Sequence, residues 1–284
     1  MNRRVAWVTG AGGLIGHYLV QAAAEHARGW EVVGLDRSRL DLTDFPAVRA
    51  AFATDQPQLI LHCAAVSRST DWEADAPRAR QVNVEVTTRL AELAADIPFV
   101  FFSTDLVFDG RKGGYVETDA PNPLSLYAET KAVAEQVVLR NPRHTVVRTS
   151  LNGGISPTGD RGFNEQMRIA WMAGRTLRLF TDEFRSPIAA RITAQAVWEL
   201  VLGTHTGLYH VAGRECLSRW QIGRLLADRW PQLHPRITAS SRRDYSGAPR
   251  PPDTSFNCAK VQPLLSFRLP GLTEWLAAHP EEVF

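Results

Sequence analysis

Tyr127-Ala128-Glu129-Thr130-Lys131 places a phenol and an ammonium four residues apart. On a helix that spacing stacks both groups on one face. A neighbouring cation lowers the pKa of a phenol electrostatically, and a phenol so placed can hand its proton to a carbonyl oxygen. Ser103-Thr104-Asp105 follows an apolar run, and a hydroxyl there can hold the same oxygen. In a chain with five Tyr, one Tyr-x-x-x-Lys says little by itself. Its place in the chain says more, because a glycine turn and a strand ending in Ser-Thr both precede it. Thr104, Tyr127 and Lys131 are the candidate catalytic residues.

The glycine turn is Thr9-Gly10-Ala11-Gly12-Gly13-Leu14-Ile15-Gly16. Gly10, Gly13 and Gly16 recur at intervals of three. Glycines permit a tight turn and let backbone N–H groups approach a pyrophosphate, and a following helix N-terminus adds partial positive charge. This segment predicts a dinucleotide site built from Gly10, Gly12, Gly13, Leu14, Ile15 and Gly16, with Tyr127 and Lys131 reaching it from their helix. The second strand ends in Leu35-Asp36-Arg37. An acid there binds adenosine ribose hydroxyls and points to NAD. Arg37 and Arg39 suit the 2′-phosphate of NADP. Both cofactors stay open. The small residues Cys63, Ala64 and Ala65 end the third strand and would let a cofactor lie close. His62 reads as structural, and Asn83 as a buried amide tying its helix to a neighbouring strand.

These groups need a scaffold, and the first half of the chain supplies a recognisable one. Apolar runs at Val5–Thr9, Glu31–Leu35, Leu59–His62, Pro98–Phe102 and His144–Arg148 read as strands. Helical spacing fills Leu14–Ala27, the stretch after Thr43, Ala79–Ala95 and Leu124–Leu139. Thr43 or Asp44 is the expected cap of the second helix, with Pro46 in its first turn. Strand–helix alternation with short turns predicts an α/β fold, a Rossmann doubly wound parallel sheet with a smaller C-terminal substrate-binding lobe. Residues 1–150, with part of 186–205, are expected to form the dinucleotide-binding domain. Residues 151–284 mainly form the lobe, where the Gly/Pro/Arg-rich stretches 151–164 and 235–256 read as binding loops.

The chain has 284 residues, 44% of them hydrophobic and 22% charged, with a net charge of +2. That balance gives no reason to expect nucleic acid or a membrane surface as partner. Only three of the basic residues are lysines, which makes Lys131 more informative. Cys63, Cys216 and Cys258 are far apart, lack metal-ligand spacing and do not suggest a disulfide framework; no metal site is expected. No leader peptide or membrane-length apolar run is visible, so the expected location is cytoplasmic. A homodimer is left open.

Taken together, these residues resemble an extended short-chain dehydrogenase/reductase, and most closely the dTDP-4-dehydrorhamnose reductase family. The resemblance rests chiefly on Ser103 through Gly110, Tyr115 through Glu117 and Ala120 through Lys131. Leu40 through Asp44, Arg148 through Ser150, Asp182 through Pro187, Gly207 through Gly213 and Arg250 through Pro252 also match, so it spans nearly the whole chain. It implies NAD(P)H-dependent reduction of the 4-keto group of a dTDP-linked 6-deoxyhexose. Thr104 would bind the carbonyl oxygen, Tyr127 donate the proton and Lys131 set its pKa. Asp41 and Leu42 would border the adenine, and Cys63, Ala64 and Ala65 the cofactor. Thr104, Asp105, Arg148 and Arg185 are expected on the substrate side, with Arg148, Arg185 or the Arg242–Arg243 pair holding a nucleotide diphosphate. The chain departs from the family at Leu106, where an aromatic residue is usual. It also departs at His62-Cys63-Ala64-Ala65, where Asn-Ala-Ala is usual, and over Ser67 to Glu73. Two alternatives accompany this reading. One is an epimerase or reductase of another nucleotide sugar. The other is a non-catalytic, NADP-binding regulatory subunit like that of methionine adenosyltransferase.

Overall fold

The computed structural model describes residues 4–67 and 75–282. The first half contains β1 (Arg4–Thr9), α1 (Leu14–His26), β2 (Trp30–Leu35), α2 (Phe45–Asp55), β3 (Leu59–His62), α3 (Ala76–Arg80), α4 (Val86–Leu93), β4 (Phe99–Thr104), α5 (Leu126–Val138) and β5 (Thr145–Thr149). The second half adds β6 (Asn152–Gly153), α6 (Phe163–Met172), β7 (Thr176–Phe180), β8 (Phe184–Arg185), β9 (Ile188–Ala189), α7 (Ala190–Leu202), β10 (Gly207–Val211), β11 (Leu217–Ser218), α8 (Arg219–Arg229), β12 (Arg236–Ser240) and α9 (Leu272–Ala278).

Six strands form one sheet in the order β10-β5-β4-β3-β1-β2. Every neighbouring pair is parallel. The chain runs outward from β1 to β2 on one side, and from β3 through β4 to β5 on the other. The order therefore reverses between β1 and β3, where α/β sheets of this kind hold ligands beyond their carboxyl ends. The glycine turn leaves β1 and Cys63 leaves β3 at that point.

All six residues of β4 are buried, as expected of a strand covered on both faces. Val100 and Phe102 join Ala6, Val8 and Leu61 in one core, which α1 and α7 cover. Phe99 and Phe101 join Trp7 and Ile60 in the other, under α4 and α5. Trp198 of α7 locks the first layer, its indole N–H donating to the Leu19 carbonyl at 2.9 Å. A separate core of Met167, Trp171, Ile222, Leu226 and Trp275 holds the C-terminal elements together.

Local chemistry sets the element ends. Asp44 caps α2, accepting the Ala47 N–H at 3.0 Å. Ser125 caps α5 through the Ala128 N–H at 3.3 Å, which fixes the first turn of the helix carrying Tyr127 and Lys131. The single helix expected over Ala79–Ala95 is instead α3, a π-helical turn over Gln81–Glu85, and α4. Asn83 sits in the π turn. Its amide accepts from Val66 N at 2.8 Å and donates to the Val66 carbonyl at 3.1 Å and to Thr130 Oγ at 3.0 Å. The wider turn thus coincides with a side chain that ties α4 to the segment after β3 and to α5. α7 lies within 186–205, the stretch read from sequence as belonging to this domain, and β10, which follows it, pairs with β5 at the sheet edge.

Candidate active site

A cleft of about 1540 Å³ runs past the carboxyl ends of the strands and into the C-terminal lobe. Gly10, Gly12, Gly13, Leu14, Ile15 and Gly16 line one part of it. Gly10 has φ of +69°, and a Cβ there would also lie 2.7 Å from the Ala64 backbone nitrogen. A Cβ on Gly16 would lie 2.3 Å from the Gly10 carbonyl oxygen. Both positions need glycine, one for conformation and close approach, the other for packing of α1 against the turn. The resulting cradle, with backbone and no side chains at its floor, fits a pyrophosphate. Cys63, Ala64 and Ala65 face it from β3, and all three line the cleft.

At the adenosine side, Asp36, Arg37, Asp41 and Leu42 line the cleft. The Asp36 carboxylate accepts from Ser38 Oγ at 2.6 Å and from the backbone of Ser38 at 2.9 Å and Arg39 at 3.0 Å. These bonds, that from the Ser38 side chain foremost, hold its pKa below the usual carboxylate value. Asp41 is held low by the Thr43 backbone and hydroxyl. Arg39 is not on the cleft wall, and its guanidinium turns to the Gly34 carbonyl at 3.5 Å.

Ser103, Thr104, Tyr127 and Lys131 all line the cleft, with the Thr104 side chain at the Tyr127 phenol. Ser103 Oγ is buried with no hydrogen-bond partner in the protein. Thr104 Oγ lies 3.2 Å from Asp105 Oδ1 and accepts the Leu106 N–H at 3.2 Å. Burial, with the Asp105 charge second, pushes the Tyr127 phenol up to about 12, against smaller opposing effects of Thr104 and Arg185. The phenol keeps its proton, which is the form a proton donor needs.

Lys131 is 2% exposed, and its ammonium lies 3.9 Å from the Phe101 ring centroid. Burial lowers its pKa to about 7, with Cys63 and Glu135 opposing. A lysine depressed from 10.5 to about 7 makes the folded state bind fewer protons than the unfolded state between those values. Stability from this group therefore rises with pH through that window and is flat below it. Wild-type protein without cofactor should gain on Lys131→Met by up to about 1.4 kcal/mol per pH unit above neutrality. Urea denaturation of both proteins from pH 6 to about 9 checks the slope, and a difference that ignores pH would contradict it.

The substrate-side expectations divide. Arg185 lines the cleft, and its guanidinium clamps Asp105 in a two-point ion pair. Asp105 is fully buried behind the wall, where Ser150 Oγ donates at 2.6 Å and Thr254 Oγ at 3.0 Å. It thus reaches the cleft through Arg185 and Thr104, not directly. Arg148 is 2% exposed and absent from the cleft wall. Its Nε and Nη2 donate to Glu135 at 2.9 and 2.6 Å. It is a structural ion pair, and its assignment to substrate is corrected. Arg242 and Arg243 also lie off the cleft, the Arg242 backbone N–H donating to Asp182 at 2.8 Å. Sequence reasoning missed Arg219 and Arg161, and it saw Arg250 only as part of a family match; all three line the cleft. Nothing in the spacing of Arg219 sets it apart from other arginines.

His62 is fully buried between Thr9 Oγ at 2.6 Å and Thr87 Oγ at 3.0 Å. Burial pushes its pKa down to about 3, so it is a neutral structural link. Leu106, where the family resemblance leads one to expect an aromatic residue, lines the cleft. Of the Ser67–Glu73 stretch only Ser67 lies within the described residues, and it too lines the cleft. Among the described residues, no cluster of three or more His, Cys, Asp or Glu could hold a metal ion, and no helix is long and apolar enough to cross a membrane.

A parallel sheet with a glycine turn after β1, and a helical Tyr-x-x-x-Lys facing a Ser-Thr strand end, defines an extended short-chain dehydrogenase/reductase, a class of NAD(P)-dependent oxidoreductases. Residues 4–283 match the family described as RmlD substrate binding domain, and the chain belongs to that family. It is 30% identical over 271 residues to the dTDP-4-dehydrorhamnose reductase of Aggregatibacter actinomycetemcomitans, covering 90% of this chain and 91% of that one. It is 27% identical to the methionine adenosyltransferase 2 subunit beta of Xenopus laevis, over 91% of this chain and 82% of that one. A crystal structure of a hypothetical dTDP-4-dehydrorhamnose reductase from Sulfolobus tokodaii superposes with a TM-score of 0.84 at 30% identity, over 95% of this chain and 97% of that one.

Proposed function

We propose that this chain reduces the 4-keto group of a dTDP-linked 6-deoxyhexose with NADPH or NADH, forming dTDP-L-rhamnose or a close analogue in the cytoplasm. The observation that supports the reading is one cleft lined by Thr104, Tyr127 and Lys131, by the glycine cradle and by arginines of the lobe. On this reading residues 1–150, with α7 and β10, hold the dinucleotide, and most of 151–284 holds the nucleotide sugar. The chain acts as a monomer or a homodimer.

When bound, the nicotinamide supplies the hydride. Gly10 through Gly16 would hold the pyrophosphate, Asp36 and Asp41 the adenosine end, and Lys131 the nicotinamide ribose. Thr104 orients the sugar's carbonyl oxygen against the Tyr127 phenol. Tyr127 delivers its proton to that oxygen, and a phenol held near 12 gives it up only to a strongly basic, developing alkoxide. Lys131 sits one helical turn away, where its charge stabilises the phenolate left behind.

The test supplies purified protein with dTDP-4-dehydrorhamnose and NADPH and follows the loss of reduced-nicotinamide absorbance together with the product sugar. The expected result is one reduced sugar per NADPH oxidised. A new sugar with no net NADPH oxidation would indicate epimerisation. The likeness to the methionine adenosyltransferase beta subunit supports a second, non-catalytic reading. Co-purification with a synthetase, without turnover on any keto sugar, would establish that one instead.

A further inference from the structure

We propose that Arg219 is the residue that takes the diphosphate of the nucleotide substrate. The inference rests on the nucleotide-sugar reading above and deepens it. Four arginines line the lobe end of the cleft, and three already have carboxylate partners. Arg185 is clamped to Asp105 and Arg250 to Glu183. Arg161 lies 3.4 Å from Asp160. Arg219 makes no ion pair and no side-chain hydrogen bond among the described residues. Its guanidinium lies 5.7 Å from the Phe163 ring centroid, and its backbone N–H donates to the Glu183 carbonyl at 2.9 Å.

The surroundings make Arg219 a cation in search of an anion. Burial depresses it to about 10; among the charges around it Glu183 acts most strongly and in the opposite direction, ahead of the repulsion from Arg185 and Arg250. It remains charged at neutral pH, buried beside two other guanidiniums, with Glu183 near it but already bound to Arg250. A dianionic group in the cleft would relieve that repulsion, and the planar guanidinium matches phosphate oxygens in two-point contact. The site is also held ready. Ser218 Oγ accepts from Gln221 N at 3.1 Å and Gln221 Oε1 accepts from Ser218 N at 2.7 Å, a reciprocal cap that fixes the first turn of α8, where Arg219 stands.

Position favours a diphosphate bonded to the reacting sugar. Arg185 is the link, because its charge is felt both at the Tyr127 phenol and at Arg219. Arg219, Arg185 and Tyr127 line the same cleft, so an anion at Arg219 shares that cleft with the proton donor.

Calorimetric titration with dTDP, UDP, thymidine and NADP⁺ tests the assignment. Arg219→Ala should weaken dTDP binding at least about tenfold and leave thymidine and NADP⁺ affinity unchanged, with Arg219→Lys intermediate. The salt dependence of dTDP binding should also become shallower in the alanine variant. Unchanged dTDP affinity in Arg219→Ala would overturn the assignment, as would an equal loss of NADP⁺ binding, which would mark a folding defect at the cleft. If wild-type protein bound UDP but not dTDP, and Arg219→Ala lost UDP, the thymidine reading would fall while the assignment of Arg219 stood. Binding of neither nucleoside diphosphate by wild-type protein would end both.

Discussion

Tyr127→Phe should lower kcat by about a hundredfold to ten-thousandfold while leaving NAD(P) affinity within about twofold of wild type. The substitution removes one hydroxyl from a half-buried ring at the start of α5 and disturbs little else. What it removes is the proton source. No neighbour is placed to take over. Lys131 rests on the Phe101 ring, and the Cys63 thiol, which burial pushes up, would release its proton even less readily. The Thr104 hydroxyl is an aliphatic alcohol, a far weaker acid than a phenol, so it can hold the oxygen without protonating it. Stopped-flow measurement of NADPH oxidation under single-turnover conditions separates the chemical step from product release. Near-normal turnover in Tyr127→Phe, with cofactor bound, would remove Tyr127 from the mechanism.

The parts of this site built from local chemistry were readable in the residues. The glycine turn is one, because a tight turn and a close approach both demand glycine at fixed spacing. Leu59–His62 and the Asp44 cap are others, since an apolar run and a side-chain acceptor act over a few residues. Non-local choices were not readable. β10 joins the sheet after a long excursion through the lobe, and nothing in Gly207–Val211 says which strand it will meet. The π turn at Asn83 answers to a hydrogen bond with Val66, formed only once β3 is in place. Charge pairing behaves the same way. Arg148 and Arg219 are the same residue type in similar contexts, yet the first is neutralised in the core and the second is left facing the cleft. The difference lies entirely in which carboxylates the fold brings to each.

That difference makes Arg148→Met a decisive experiment. The expected loss is about 3–5 kcal/mol of stability, because the change leaves Glu135 buried without its partner. Glu135 and Arg148 are each 2% exposed and meet at two points. The pair also anchors the helix that carries the chemistry. Glu135 lies on α5 one turn beyond Lys131, and its charge is among those felt by that ammonium. Arg148 reaches further, with Nη1 lying 3.3 Å from His210 Nε2 on β10 and the guanidinium 4.9 Å from the Phe108 ring centroid. Burial, with Arg148 second, drives His210 down to about 3, so its neutral ring can accept from Arg148 while Nδ1–H donates to the Tyr115 carbonyl at 3.1 Å. One guanidinium thus joins β5, α5 and β10. Pairing the change with Glu135→Leu removes the stranded charge and should recover most of the loss, since well-packed apolar replacements of buried ion pairs are often close to neutral. A urea-denaturation double-mutant cycle measures that coupling directly. In the folded protein the double variant should bind dTDP as wild type does. A loss well under about 1 kcal/mol in Arg148→Met, of the size expected for an exposed pair, would show that the two charges are solvated. A selective fall in dTDP affinity at unchanged stability would return Arg148 to the substrate.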